Sequence, residues 1–169
     1  MSAIEIKAVT TRREKKQFLE LPWKLYKDSP HWIPPLRVNQ KELVGFKPHP
    51  FYDNNERQAF LATRDGEPCG RILGIINREH NRRYKENRGF FGFYESVDDA
   101  EVSSGLFDAV MHWLDQYSIR QLRGPVFLHW LGPMFLASLK GYFPGNSFDR
   151  IMALDPAVVR GCKLSLLDM

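Results

Sequence analysis

The amino-acid sequence predicts an α/β (α+β) domain in which helices flank a mixed central sheet. Three observations support this fold class: an alternating segment at residues 3–9, two β-type runs on either side of Asp65-Gly66, and an aromatic strand followed by an amphipathic segment after Asp98. The predicted order of elements is strand, helix, helix, strand, strand, strand, helix, strand. A chain of 169 residues, 43% apolar and 26% charged, suits one hydrophobic core.

The first elements are predicted from alternation and capping. Residues 3–9 alternate apolar and polar side chains, as in a half-buried strand. Thr11 stands three residues before Glu14, which predicts a capping box at the start of a helix. Pro22 is expected to bend or divide that helix, because proline removes a backbone donor. The proline-rich residues 27–37 then predict an extended connector.

A short helix and a hairpin are predicted next. Residues 38–46 predict a short helix that ends near a glycine, and residues 47–55 predict a loop. Residues 57–78 contain two β-type runs around an Asp-Gly turn, which predicts an antiparallel hairpin. On its second arm, Gly70 and Gly74 indicate a bulge or a close approach of another element.

The second half of the predicted fold contains the aromatic strand and the longest helix. The basic residues 77–88 predict a solvated connector, and residues 89–95 form the aromatic strand. Asp98 or Asp99 is expected to cap the following helix, where a carboxylate also suits the helix dipole. Residues 120–127 predict the last strand that the pattern supports.

Composition excludes several classes of protein. The formal net charge is +4, modest for a nucleic-acid-binding domain. No apolar run approaches the ~20 residues of a membrane span, and the N-terminus lacks a secretory core, so a soluble cytoplasmic protein without a membrane partner is expected. Cys69 and Cys162 have no metal-ligand spacing and are expected to be buried, so neither a metal site nor a disulfide is predicted.

Three segments carry a resemblance to a known superfamily. FLELPWKLYKDSPHWIPPLR, GRILGIINREHNRR and GFFGFYES together resemble a largely uncharacterised bacterial group of GNAT-like N-acyltransferases, and the order of elements is similar to the first three quarters of the GNAT acetyltransferase fold. The resemblance covers about residues 3–127. We therefore divide the chain into a GNAT-like acyltransferase domain, residues 1–127, and a C-terminal segment of unassigned fold, residues 128–169.

The resemblance implies a reaction and a site. Acetyl-CoA or another acyl-CoA would be the co-substrate, without a metal, and its pantetheine arm would lie between the fourth and fifth strands. Glu95 would be the general base that deprotonates an amine. The residues that would bind the cofactor are Phe93 and Tyr94, through backbone N–H groups that polarise the thioester, and Val97, Asp98, Asp99 and Ala100, at the turn that holds the diphosphate.

This turn and the C-terminal residues depart from the superfamily pattern. The superfamily turn reads Q/R-x-x-G-x-G/A, whereas this chain has carboxylates and no glycine there. Like charges at ~4 Å repel by ~1 kcal/mol in water and by more in a partly desolvated turn, so the carboxylates are expected to oppose a diphosphate. Residues 128–169 do not match the closing strands of the fold, and Tyr142 has no positional support as a general acid. A sheet without its closing strands would favour a homo-oligomer.

Three functions follow from these observations. The first is an acyl-CoA-dependent N-acyltransferase whose acceptor is a small-molecule or a protein amine. The second is a non-catalytic GNAT-like domain that binds a ligand or a protein. The third, which the modest charge disfavours, is a nucleic-acid module that uses residues 77–88 and Tyr84.

Overall fold

The structure is a computed structural model and describes residues 3–126. The elements within this range are β1 (Ile4–Ala8), α1 (Arg12–Leu25), α2 (Arg37–Leu43), β2 (Glu56–Arg64), β3 (Glu67–Ile76), α3 (Arg78–Tyr84), β4 (Gly89–Ser96), α4 (Ala100–Asp115) and β5 (Leu122–Arg123), with a 3₁₀ turn at Pro50–Asp53. The predicted α/β (α+β) class is confirmed. The C-terminal segment, with Tyr142 and Cys162, lies outside the described residues.

The sheet is mixed, and its strands follow the order β1-β2-β3-β4-β5. The first four strands are antiparallel neighbours, whereas β5 runs parallel to β4. Asp65 and Gly66 join β2 to β3 with φ angles of 53° and 80°, the positive values that a type I′ hairpin turn requires. The predicted hairpin is therefore confirmed.

Helices cover both faces of the sheet. Helix α4 packs on one face through Val102, Leu106 and Val110, which are fully buried. A Cβ atom added at Gly70 would lie 2.7 Å from Val102 Cγ1, and one added at Gly74 would lie 3.0 Å from the Trp113 ring. The predicted close approach at these two glycines is thus the approach of α4. Helix α1 covers the opposite face, where Phe18 is fully buried.

Helix α1 begins as predicted but is not divided by its proline. Thr11 Oγ1 accepts from Glu14 N at 3.2 Å, and Glu14 Oε2 accepts from Thr11 N at 2.8 Å, so the capping box is complete. The backbone N–H groups of Thr11 and Thr10 lower the pKa of Glu14 to about 2. Pro22 lies inside a continuous helix, so the prediction that it divides the helix is wrong. A proline this close to the C-terminal end removes a single helical bond, the one to the Phe18 carbonyl.

Other sequence predictions need correction in the basic segment and at the last strand. Residues 77–88 contain a helix, α3, whose first turn is capped by Asn77 Oδ1 accepting from His80 N at 2.9 Å. This cap lies in a segment without an apolar stripe, so periodicity did not indicate it. Strand β5 is limited to Leu122–Arg123 and is shorter than the predicted residues 120–127.

Two further findings concern burial and the membrane. Cys69 is 7% exposed, as predicted, and its burial raises the pKa of its thiol. In residues 3–126, no helix has the length and hydrophobicity required to cross a bilayer.

Candidate functional site

Strands β4 and β5 are joined only briefly. Parallel pairing links Gly89 to Leu122 and Phe90 to Arg123, and Val126 N then donates to the Phe91 carbonyl at 2.7 Å. Within the described chain, no further backbone hydrogen bond reaches this edge of β4 from β5 or from the residues after it. Among residues 3–126, the remainder of β4 therefore has no backbone partner along the edge beside the end of β5.

A bulge interrupts β4 at the same position. Phe93 has a φ of 50°, and the register with β3 shifts between Arg71 and Leu73, so that β4 carries one extra residue. A bulge bends a strand and redirects its side chains. Phe93 packs in the α1-side cluster, whereas Tyr94 packs against Phe107 under α4 with a ring distance of 5.1 Å. The structure thus places the side chains of Phe93 and Tyr94 on opposite faces of the sheet.

Glu95 forms an ion pair with a buried arginine that the sequence analysis did not identify. Glu95 Oε2 accepts from Arg71 Nε at 2.6 Å and lies 2.5 Å from Arg71 Nη2. The Arg71 side chain is 3% exposed and that of Glu95 21%. Arg71 Nη1 also donates to the Phe18 carbonyl at 2.7 Å, the group that Pro22 leaves without its helical partner. The guanidinium therefore fixes Glu95 relative to α1, on the α1 side of the sheet.

Asp99 occupies the start of α4. Its Oδ1 accepts from Glu101 N at 2.8 Å and from Val102 N at 3.4 Å, and its Oδ2 accepts from Arg64 Nη2 at 2.6 Å. Arg64, followed by these backbone donors, lowers the pKa of Asp99. Asp99 N donates to the Val97 carbonyl at 2.8 Å. Asp99, one of the two predicted caps, is thus the cap of α4.

The N–H groups of the first turn of α4 are consequently mostly occupied. Of the N–H groups from Asp99 to Val102, those of Asp99, Glu101 and Val102 already have protein acceptors, which leaves the N–H of Ala100. A helix N-terminus binds phosphate when its donors are unpaired and its local charge is positive. Here a carboxylate takes the place that an anionic ligand would otherwise occupy. Val97 and Asp98 complete the turn, but the geometry assigns no ligand to them.

The hydroxyl of Tyr94 belongs to a cluster under α4. It donates to Ser103 Oγ at 2.8 Å and lies 3.0 Å from Ser96 Oγ. Because Tyr94 is 7% exposed, these contacts satisfy a buried hydroxyl. A cofactor contact with this residue would therefore have to use its backbone. Among residues 3–126, no group of three or more His, Cys, Asp or Glu side chains could hold a metal ion.

Comparison with solved structures identifies the fold. An aminoglycoside acetyltransferase from an uncultured soil metagenomic sample, solved in complex with sisomicin, matches 84% of this chain and 88% of its own, with a TM-score of 0.50 and 11% identity. A tandem GNAT protein from the clavulanic acid biosynthesis pathway matches 69% of this chain and 34% of its own, with a TM-score of 0.51 and 11% identity. The chain has the GNAT fold. The predicted resemblance is confirmed at this level.

Sequence comparison gives two relatives. Protein YghO of Escherichia coli (strain K12) is 33% identical over 124 residues, which are 73% of this chain and 32% of the relative. The bacterial ceramide synthase of Caulobacter vibrioides is 39% identical over 108 residues, 63% of this chain and 28% of that enzyme. The chain spans about a third of the length of these curated relatives. Residues 102–169 match a family described as a protein of unknown function (DUF993).

Two neighbouring elements position the predicted site residues. Strand β4 brings Phe93, Tyr94 and Glu95 to the point where β5 ends, and the following turn brings Asp99 to the start of α4. Arg71 and Arg64 were missed by sequence reasoning. A signal for Arg71 was its position inside an otherwise apolar strand, because a charged residue buried in a sheet requires a partner.

Proposed function

We propose that the GNAT-fold part of this chain transfers an acyl group from a thioester to an amine. The observation that carries the proposal is the edge of β4 next to the end of β5, which residues 3–126 leave without a backbone partner, with Glu95 following the Phe93 bulge. An extended thioester can lie along such an edge, where strand N–H groups polarise its carbonyl. The fold neighbours and the similarity to a bacterial ceramide synthase support the same chemistry.

In the proposed reaction, the amine nitrogen attacks the thioester carbon and the C–S bond breaks. The amine loses one proton, and the leaving sulfur takes up a proton to become a thiol. We retain Glu95 as the proposed general base. Because Arg71 binds Oε2, the proton would be received at Oε1 or by a water that Oε1 orients. Arg71 would act as a positioning residue that holds this carboxylate near the unpaired strand edge.

The proposed donor is an acyl-CoA, either acetyl-CoA or one with a longer acyl chain. The diphosphate of the CoA is expected to contribute little to binding. The Asp99 carboxylate uses the N–H groups of Glu101 and Val102 and adds negative charge. We expect the donor to be held mainly through its pantetheine arm and acyl chain, without a metal. Replacing Asp99 by glycine frees those donors and removes the repulsive charge, which should tighten CoA binding roughly five-fold or more.

Calorimetric titration of CoA tests this account of the donor. Asp99→Asn removes the charge but retains an acceptor, so its effect should be smaller than that of Asp99→Gly. Asp108→Asn, on an exposed position of α4, is the matched control for net charge and should leave the affinity unchanged. Equal affinities in all variants would show that the diphosphate does not approach this turn.

We propose a lipid-like amine as the acceptor. A ceramide is the amide of a long-chain amino alcohol, and the 39% identical relative carries the name of ceramide synthase. Small soluble amines and protein amines are the other acceptor classes for the same chemistry. A panel that contains a C18 amino alcohol, a short-chain amino alcohol and a lysine peptide separates the three.

A non-catalytic binding domain is the second candidate, and it is favoured by the mostly occupied N–H groups at the start of α4. The decisive experiment incubates the chain with acetyl-CoA or palmitoyl-CoA and the amine panel, and detects the amide by mass spectrometry. Glu95→Gln should lower turnover by about 100-fold or more if Glu95 is the base. Glu79→Gln, on the exposed face of α3, should leave turnover unchanged. Absence of amide with every donor, in a folded protein, would favour the non-catalytic function.

A further inference from the structure

Three exposed aliphatic side chains lie close together in the sequence. Ile33 is 76% exposed, Leu36 69% and Val38 54%. The other well-exposed large hydrophobic side chains among residues 3–126 are those of Tyr84 and Tyr117, which carry a hydroxyl group. We call Ile33, Leu36 and Val38 the aliphatic patch. Within the described chain, large and purely apolar side chains are well exposed to solvent at this patch. Such a patch on a protein surface commonly marks an interaction site.

The segment that carries the patch is held by aromatic contacts. The Trp32 ring lies 5.5 Å from the Trp23 ring and 5.5 Å from the Tyr26 ring, and the Arg37 guanidinium lies 4.6 Å from the Trp23 ring. Two prolines follow Ile33 and restrict the backbone. The connector is thus anchored to α1 while its aliphatic side chains point away from the core.

A basic groove adjoins the patch at Arg37, which lines the groove and lies between Leu36 and Val38 in the sequence. Between α1 and α2 is a cavity of about 350 Å³, lined by the five cationic residues Arg12, Lys15, Lys16, Arg37 and Lys41, by Glu20 and Gln40, and by the apolar Leu19, Trp23 and Phe46. Arg37 pairs with Glu20 at 3.0 Å, and that carboxylate is the acidic group among these lining residues. Within the described part of the chain, the other four cations form no ion pair. The groove therefore carries a positive charge that a ligand can neutralise.

We propose that the aliphatic patch and the basic groove form a docking surface for an anionic lipid bilayer. Exposed aliphatic side chains that enter the headgroup boundary, with cations around them, are the pattern of proteins that lie on a membrane without spanning it. Charge complementarity selects anionic headgroups, whose phosphates the four unpaired cations would bind. The absence of an apolar run of spanning length predicted no membrane partner, but docking on a bilayer surface requires no such run.

Other anionic partners fit the surface less well. Single-stranded nucleic acid requires exposed aromatic faces on which bases stack, whereas the exposed large apolar side chains of this surface are aliphatic, and the Trp23 ring packs against Trp32. A second copy of this chain would place one basic groove against another unless the two are offset. The bilayer is the partner that accommodates the aliphatic and the cationic groups together.

Docking on a bilayer is separate from the proposed acyl transfer, and vesicle binding measures it without turnover. The docking surface and Glu95 are both on the α1 side of the sheet. The proposed function includes a lipid-like amine as the acceptor. If that part of the proposal holds, docking would bring the α1 side of the sheet, with Glu95, to the membrane that contains the amine.

Vesicle flotation of the 169-residue chain tests the proposal. Phosphatidylcholine vesicles are compared with vesicles that contain about one quarter phosphatidylglycerol, at low and at high salt. We expect binding to the anionic vesicles and a loss of that binding at high salt. The triple variant Ile33→Ser, Leu36→Ser and Val38→Ser should lower the partition coefficient at least ten-fold, because the hydrophobic contribution is removed.

Charge variants provide the matched comparison. Replacing both Lys16 and Lys41 by glutamine should lower partition into anionic vesicles roughly five-fold per cation. Replacing both Arg82 and Arg83, two exposed cations on α3, by glutamine changes the net charge equally and should have less than a two-fold effect. Because all these positions are on the surface, far-UV circular dichroism should remain unchanged.

Two results would overturn the proposal. One is the absence of vesicle binding at low salt by a folded chain, or equal binding to neutral and anionic vesicles. The other combines absent vesicle binding with a dimer in sedimentation velocity. If the triple serine variant were a monomer in the same experiment, the patch would be the contact between two copies of this chain.

Discussion

Replacing Arg71 by methionine tests whether a buried ion pair links α1 to the candidate site. Methionine retains an apolar stem but removes the bonds to Glu95 and to the Phe18 carbonyl, at 2.6 Å and 2.7 Å. The carbonyl, for which Pro22 offers no donor, is left unsatisfied at a cost of about 1–3 kcal/mol. Loss of one partner of a buried pair costs about 3–5 kcal/mol. Because Glu95 is 21% exposed and water can reach it, we expect the lower end of both ranges, about 4 kcal/mol in total.

Urea unfolding at pH 7 provides the assay, in a double-mutant cycle. The single variants Arg71→Met and Glu95→Leu are compared with the double variant, which removes both charges. The double variant should lose about 2 kcal/mol less free energy of unfolding than the sum of the two single losses. The pair Arg82 and Glu79 is the matched control, because its side chains are 78% and 67% exposed and its coupling should stay near 0.5 kcal/mol or less.

The reasoning would be refuted by a small or an additive effect. If Arg71→Met cost less than about 1 kcal/mol, neither the Phe18 carbonyl nor Glu95 would depend on the guanidinium. If the two substitutions added within about 0.5 kcal/mol, the ion pair would contribute no net coupling. In either case Glu95 would not be fixed relative to α1, and the positioning role proposed for Arg71 would fail.

Three further predictions concern local structure. Asp99→Ala removes the α4 cap and should lower the free energy of unfolding by about 1–2 kcal/mol at pH 7. Because the pKa of Asp99 is lowered in the folded state, this stabilisation is present above the ordinary pKa of an aspartate and should vanish as the pH falls through the lowered value. Urea unfolding of wild type and variant between pH 7 and pH 2 measures the change. Glu14→Gln should likewise be less stable than wild type at pH 7. The difference in free energy of unfolding should disappear as the pH falls from 4.5 to about 2, the ordinary and folded pKa values of the Glu14 carboxyl. Gly70→Ala should lower the free energy of unfolding by about 1–3 kcal/mol, because the added methyl group meets α4. Gly66→Asn should cost less than about 0.5 kcal/mol, because asparagine tolerates a positive φ and the site is open. Similar thermal unfolding of the two variants would contradict the close approach of α4 to Gly70.

The sequence by itself determined the elements whose signals are local. The Asp65-Gly66 turn, the Thr11 and Glu14 capping box and the carboxylate cap of α4 each join residues that lie within four positions of one another. Their hydrogen bonds form from the backbone conformation of a single segment, so residue type and spacing suffice to predict them. Helix α3 was missed because its Asn77 cap precedes a segment without apolar periodicity.

Only the tertiary structure decided which groups meet at the candidate site. Arg71 and Glu95 are 24 residues apart, and Arg64 and Asp99 are 35 residues apart. The carboxylates at the α4 turn were expected to oppose a diphosphate, but their geometry shows more: Asp99 also takes the donors that a phosphate would use. The position of each charge partner depends on strand register, on a bulge in β4 and on the packing of α1 and α4 against opposite faces of the sheet. These result from burying the whole core at once, and no local pattern of residues contains them.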